Sequence, residues 1–204
     1  RHGETVWTER GLLHGRLDSP LSQAGRAHAE RTAERLRGEP FDAFYTSPQG
    51  RALETSRILS RTVGLAAQPV PELREADFGI LEGWPRRVIH PNGLPGYVLR
   101  PFVFLSIVLS GESPRRVSRR ISRAIDLVLE HHPTGRLLIV THWGVLSHLM
   151  AHLVDQDPAA WKHYGPWDAC GVSELAGVDG PPESPTWRVV RLNDTSHLSQ
   201  ERPS

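Results

Sequence analysis

Leu137-Leu138-Ile139-Val140-Thr141-His142-Trp143-Gly144 reads as four uninterrupted apolar residues running into a polar turn that carries a histidine. An apolar run of this length without polar alternation is expected of a strand covered on both faces. A helix is expected to follow from about Gly144 to Val154. Working upstream, Ser22 to Arg37 has helical character with Ser22 as N-cap, and Phe41 to Tyr45 is a short strand. A second helix is expected from about Pro48 to Val63, with proline in its first turn, and a longer one from Pro114 to His131, whose apolar stripe is Val117, Ile121, Ala124, Ile125 and Val128. Downstream, Gly171 to Leu175 and Thr186 to Leu192 are strand candidates separated by the turn 180–185. Strands alternating with helices argue for an α/β fold with a largely parallel sheet. The chain is expected to form one domain over 1–204, with an irregular insertion at about 85–110.

The bulk composition narrows the function. Lys plus Arg number 24 against 23 for Asp plus Glu, so the net charge is only +1 and there is no broad footprint for nucleic acid. The longest mostly apolar stretch, Phe102 to Leu109, interrupted by Ser106, falls far short of the roughly 20 residues that span a bilayer, so no membrane association is expected. The single cysteine, Cys170, excludes an internal disulfide and a cysteine-rich zinc site. It fits a reducing compartment, and a cytoplasmic location is expected. Either a monomer or a homodimer is compatible with the sequence.

Three loops carry the chemistry: Arg1-His2-Gly3-Glu4-Thr5, Thr46-Ser47-Pro48-Gln49-Gly50-Arg51 and Thr141-His142-Trp143-Gly144. Loops at the carboxyl ends of strands in open α/β sheets converge on the ligand crevice. Two histidines and two arginines meeting there suit a phosphoryl group. Guanidinium forks bind its oxygens, one imidazole attacks phosphorus, and the other stabilises the equatorial charge. The leaving oxygen needs a proton donor, and a carboxyl beside a dianion is driven towards its acid form. Glu75, Asp77 and Glu82 are all candidates, and spacing does not choose among them. No metal or organic cofactor is expected.

These blocks, in this order, resemble the histidine phosphatase superfamily, which includes cofactor-dependent phosphoglycerate mutases and α-ribazole phosphatases. Gly15 to Ser22, Gly111-Glu112-Ser113 and Leu192-Asn193-Asp194 support the match, which is weakest from Pro85 to Ser110. The resemblance implies a three-layer, doubly wound, mostly parallel sheet with helices on both faces, and metal-independent catalysis. It also implies that His2 becomes a phosphohistidine, with Arg1, Arg51 and His142 completing the pocket and Glu75 acting as general acid. Thr8, Gly15 and Trp143 are expected to contact substrate. The family has a strand running into its Arg-His-Gly block, whereas this sequence begins at Arg1. Thr8 stands where the family often has asparagine, and Trp143 where glycine is common.

The substrate expected is a small phosphomonoester, and the apolar 85–110 segment with Trp143 points to some hydrophobic surface on it. Hydrolysis is the leading reading, ahead of mutase-type transfer to a second hydroxyl and of a non-catalytic phosphate-binding module. Among the remaining polar residues, His148 and His152 at i and i+4 are expected on a helix surface or interface rather than as metal ligands. His131-His132 end a helix. Arg115, Arg116, Arg119, Arg120 and Arg123 are expected to form a solvated helix face. Trp84 is expected either to pack or to line the substrate side.

Overall fold

The computed structural model describes residues 1–88, 105, 109–178 and 186–199. Most of the expected 85–110 insertion, and the turn 180–185, lie outside the described residues. In chain order the helices are α1 (Val6–Glu9), α2 (Gln23–Arg35), α3 (Gly50–Val63), α4 (Pro114–His131) and α5 (Trp143–Met150). The strands are β1 (Ala43–Thr46), β2 (Gln68–Pro69), β3 (Leu137–Val140), β4 (Val172–Val178) and β5 (Thr186–Asp194).

Local chemistry sets the helix boundaries. Ser22 accepts a hydrogen bond from Gly25 N at 3.0 Å and so caps α2. Helix α3 starts two residues later than the expected Pro48, because Gln49 is still extended (φ −76°, ψ 142°). The Asp18 carboxylate bonds Gly50 N and, at 3.4 Å, Arg51 N, answering the unpaired amides of that first turn. Helix α4 keeps its expected bounds, with Pro114 in the first turn where its missing donor is harmless. After Met150 the chain continues through a π-helical turn, Ala151–Asp155.

Strands β2, β1 and β3 form a parallel sheet in that order, with Phe44 opposite Leu138 and Thr46 opposite Val140. Alternate residues face opposite helical layers. Phe44 and Val140 join Ala29 and Ala33 of α2 and Ala52 and Leu59 of α3 in one buried cluster. Tyr45 and Ile139 pack against the other, which holds Val117, Ile121 and Ile125 of α4 with Val145 and Leu149 of α5. The architecture is thus a three-layer α/β sandwich. Strand β3 is covered on both faces as expected, Leu138 and Val140 towards one cluster and Ile139 towards the other, although only Val140 is fully buried and Leu137, Leu138 and Ile139 stay half-buried. Among the described residues it pairs along one edge only, with β1. Strands β4 and β5 form a separate antiparallel pair. Residues 1 and 2 bridge the two sheets: His2 N donates to Thr141 O just beyond β3 at 2.9 Å, and Cys170 N donates to Arg1 O at 3.2 Å just before β4.

Two side-chain expectations need correction. His148 is not on a surface; it is buried, within 2.7 Å of Ser118 Oγ, and stacked 5.0 Å from the Trp161 ring. The second turn of α5 faces the core there, and Ser118 supplies the polar partner that burial demands. Arg120 is likewise not a solvated residue, since Glu112 grips its guanidinium at 2.7 and 2.8 Å. Trp84 is 53% exposed and therefore not a core residue.

Candidate active site

The three loops converge where β1 and β3 end. The His2 and His142 rings lie 5.0 Å apart between centroids, tilted by 59°, and both side chains are buried. His2 Nδ1 is 2.8 Å from Gly3 O. A carbonyl can only accept, so the proton sits on Nδ1 and Nε2 carries the lone pair. Arg51 Nε donates to that Nε2 at 3.3 Å. Burial first, then the charges of Arg1 and Arg51, hold the His2 pKa well below 6.5, so its imidazole is neutral.

Arg51 reaches this position because its charge is answered on the far side. Its Nη1 donates to Asp18 Oδ1 at 2.9 Å and Leu17 O at 3.1 Å, and its Nη2 to Gly15 O at 3.0 Å. The side chain is fully buried, and without these acceptors its charge would be expensive to desolvate. Its fork is therefore occupied by protein, and it is Nε that faces the histidine. Arg1 donates from Nη1 to Trp167 O at 2.6 Å. Burial, followed by repulsion from Arg86, pulls its pKa down to about 10.

His142 Nε2 lies 2.7 Å from Ser47 Oγ. Ser47 Oγ also accepts from Gln49 N at 3.3 Å; in the tautomer where its own proton goes to Nε2, the imidazole proton sits on Nδ1. Burial, then Arg51 and His2, keep the His142 pKa well below 6.5. Two buried polar atoms of the cluster, Arg1 Nε and His142 Nδ1, have no hydrogen-bond partner among the described residues.

The three carboxylates separate by partner. Glu82 is structural: it accepts from Arg16 N and Leu17 N at 2.8 Å each and from Phe78 N at 3.0 Å. Its Oε1 would lie 2.0 Å from a Cβ at Gly15, where φ is also +72°, so this loop position requires glycine. Asp77 is engaged with Arg16 at 3.2 Å and Gly79 N at 2.8 Å. Glu75 alone is buried against the start of α5, accepting from Ala76 N at 3.0 Å and Gly144 N at 3.2 Å. Gln49 ties the loops together, donating to Gly15 O at 2.8 Å while accepting from Glu75 N at 2.7 Å.

Of the other expected contacts, Thr8 is half-buried, with its Oγ1 3.0 Å from Thr5 Oγ1. The Trp143 ring rests on Gly165, where a Cβ would come within 3.1 Å of Cζ2. Two further residues join the site that the sequence reading had not singled out. His14 Nε2 lies 2.7 Å from Thr5 Oγ1, and its pKa is lowered to about 3 by burial and then by Arg51 and Arg1. Arg86 is exposed; its backbone N donates to Gly11 O at 2.7 Å, and its charge acts on both Arg1 and His14. The only advance signal for His14 was its place immediately before Gly15. Among the described residues no group of three or more His, Cys, Asp or Glu side chains is placed to hold a metal, and no helix is long and apolar enough to cross a membrane.

The layered fold and the paired imidazoles define a phosphoglycerate mutase-like α/β protein with a basic, histidine-centred cluster of side chains. A family model described as histidine phosphatase superfamily (branch 1) matches residues 1–195. The chain belongs to that superfamily. It is 30% identical to a Yersinia enterocolitica protein named as a probable phosphoglycerate mutase, GpmB, over 97% of this chain and 92% of that one. Among solved structures, Bacillus stearothermophilus YhfR superposes with a TM-score of 0.81 at 31% identity, covering 98% of this chain and 96% of the other. The α-ribazole phosphatase of Shigella flexneri does so with a TM-score of 0.77 at 30% identity, covering 95% and 94%.

Proposed function

We propose that this protein hydrolyses a small phosphomonoester through a phosphohistidine at His2. What carries the proposal is two buried nitrogens without a partner among the described residues, Arg1 Nε and His142 Nδ1, the latter a donor in the tautomer protonated there, beside a neutral imidazole whose lone pair is on Nε2. Buried donors without acceptors are rare, and a tetrahedral anion would satisfy both. In the first step His2 Nε2 bonds to phosphorus as the ester P–O bond breaks. Glu75 in its acid form gives its proton to the departing oxygen. Arg1, Arg51 Nε and His142 Nδ1 stabilise the equatorial oxygens. In the second step water attacks the phosphohistidine, Glu75 takes the proton, and phosphate leaves with His2 neutral again.

Relatives carry both phosphatase and mutase names, so the acceptor of the phosphoryl group is the point to test. The Gly15-to-Leu21 block, held by Glu82 and Gln49, resembles that of the phosphatase branch and supports hydrolysis. Arg86, which has no acidic partner among the described residues, favours a leaving group that bears a second negative charge. This shifts the expected substrate away from hydrophobic surface at Trp143, whose ring is occupied with Gly165. A phosphomonoester panel assayed in EDTA and including 3-phosphoglycerate tests the reading. Free phosphate without 2-phosphoglycerate is expected. Interconversion of the isomers without phosphate release would establish the mutase instead, and phosphate binding without turnover on any ester would establish a binding module.

A further inference from the structure

Away from the active site, helix α4 and the segment carrying Val70 to Arg74 enclose a groove of about 680 Å³. Its rim holds Arg74, Arg116, Arg119 and Arg123. Glu112 is fully engaged with Arg120, whose remaining donors go to the backbone carbonyls of Glu72 and Glu75. Neither Arg116, Arg119 nor Arg123 has an ion pair among the described residues, and Arg74 bonds only Pro71 O, at 3.1 Å. Among the described residues, Glu72 is then the one carboxylate lining the groove that is left to face four arginines, on a chain whose net charge is only +1. The floor between them is apolar: Val70, Ala124, Val128 and Leu127, the last 55% exposed.

We infer that this groove is a second anion site, which takes a nucleoside triphosphate or a molecule of the same build. Arg116, Arg119 and Arg123 recur at i, i+3 and i+7, so they line one face of α4 over about 10 Å at 1.5 Å rise per residue. Guanidiniums in a row at that spacing match a chain of phosphates, each able to take a bidentate contact. The groove volume falls in the range of about 300–1,000 Å³ usual for small-molecule sites, and the apolar floor receives a flat, weakly polar ring. Arg120 joins the groove wall to Glu75 O at 3.3 Å, so the site sits directly behind the segment that carries the active-site carboxylate.

Calorimetric titration of the whole chain with ATP tests this, with the catalytic pocket saturated by orthophosphate. One ATP per chain is expected, binding more tightly than inorganic tripolyphosphate because of the apolar floor. Arg119→Gln should weaken it by about tenfold, the scale of one charge-assisted contact, and Arg116→Gln/Arg123→Gln by more. His2→Ala should bind ATP as the parent does. The exposed Arg→Gln changes should leave the circular dichroism spectrum unaltered. No ATP binding by the parent would overturn the inference, as would affinity undiminished in the arginine variants or lost in His2→Ala. Tripolyphosphate binding as tightly as ATP would overturn the nucleotide assignment. So would binding of an oligoglutamate peptide in place of ATP, which would make the groove a protein-docking surface.

Discussion

Gly144→Ala probes the placement of Glu75 without changing the chemical identity of any reacting group. A Cβ built on Gly144 lies 2.6 Å from Glu75 Oε1 and 3.5 Å from its Cδ. Ordinary contact begins near 3.4 Å, so the carboxyl must move by about 0.8 Å, and its hydrogen bond from Gly144 N, 3.2 Å long, is disturbed as well. A misplacement of about 1 Å in a catalytic group costs on the order of 10²-fold in rate, or about 2.7 kcal/mol of barrier. If Glu75 protonates the leaving oxygen, the loss should depend on that oxygen. An alkyl phosphate, whose alkoxide needs the proton, should lose about 10² in kcat/KM. 4-Nitrophenyl phosphate, whose phenoxide leaves largely unprotonated, should lose only a few-fold. Steady-state kinetics on both esters, with circular dichroism to check folding, decide the matter. Equal losses on the two esters would remove Glu75 from the acid role, and no loss on either would refute the geometry itself.

Two pH profiles follow from the buried histidines. Because burial and the neighbouring arginines hold both His2 and His142 well below 6.5, kcat/KM for the substrate dianion should stay level as pH falls past 6.5; a tenfold drop per unit starting there would contradict a neutral nucleophile. His148 is lowered to about 4, by burial first and Arg120 second, so the unfolded chain takes up its proton near 6.5 while the folded chain resists until about 4. The His148 contribution is therefore intact above pH 6.5 and is lost as pH falls through that window, by about 3 kcal/mol. Denaturant titrations of His148→Asn should show a shallower pH dependence between 6.5 and 4 than the parent, and an identical slope would count against it.

How much of this could be read from the chain depended on the range of the interactions involved. The Leu137–Val140 run, the Ser22 cap and the α4 stripe are local patterns, and each element forms where its residues indicate. His2, Arg51 and His142 were legible because each sits in a loop at the end of a strand or the start of a helix, and the parallel pairing of β1 with β3 brings two of those loops together. The choice among Glu75, Asp77 and Glu82 was not legible. The bonds that set the three carboxylates apart join residues far apart in the chain, such as Arg16 N to Glu82 and Gly144 N to Glu75. The same applies to His14, Gln49 and Arg86, whose places depend on how one loop folds over another. Strand β2 has two residues, one of them Pro69, too few for any periodicity to register. The burial of His148 was hidden because its partners, Ser118 and Trp161, come from separate segments.

The central claim is that His2 Nε2 carries the phosphoryl group between substrate and acceptor. Rapid quenching of the enzyme with a phosphorus-labelled phosphomonoester, followed by peptide mapping, measures this directly. An acid-labile, base-stable label on the peptide containing His2, formed and lost at the rate of turnover and absent from His2→Ala, is the expected result. Turnover with no labelled protein, or label on any residue other than His2, would contradict it.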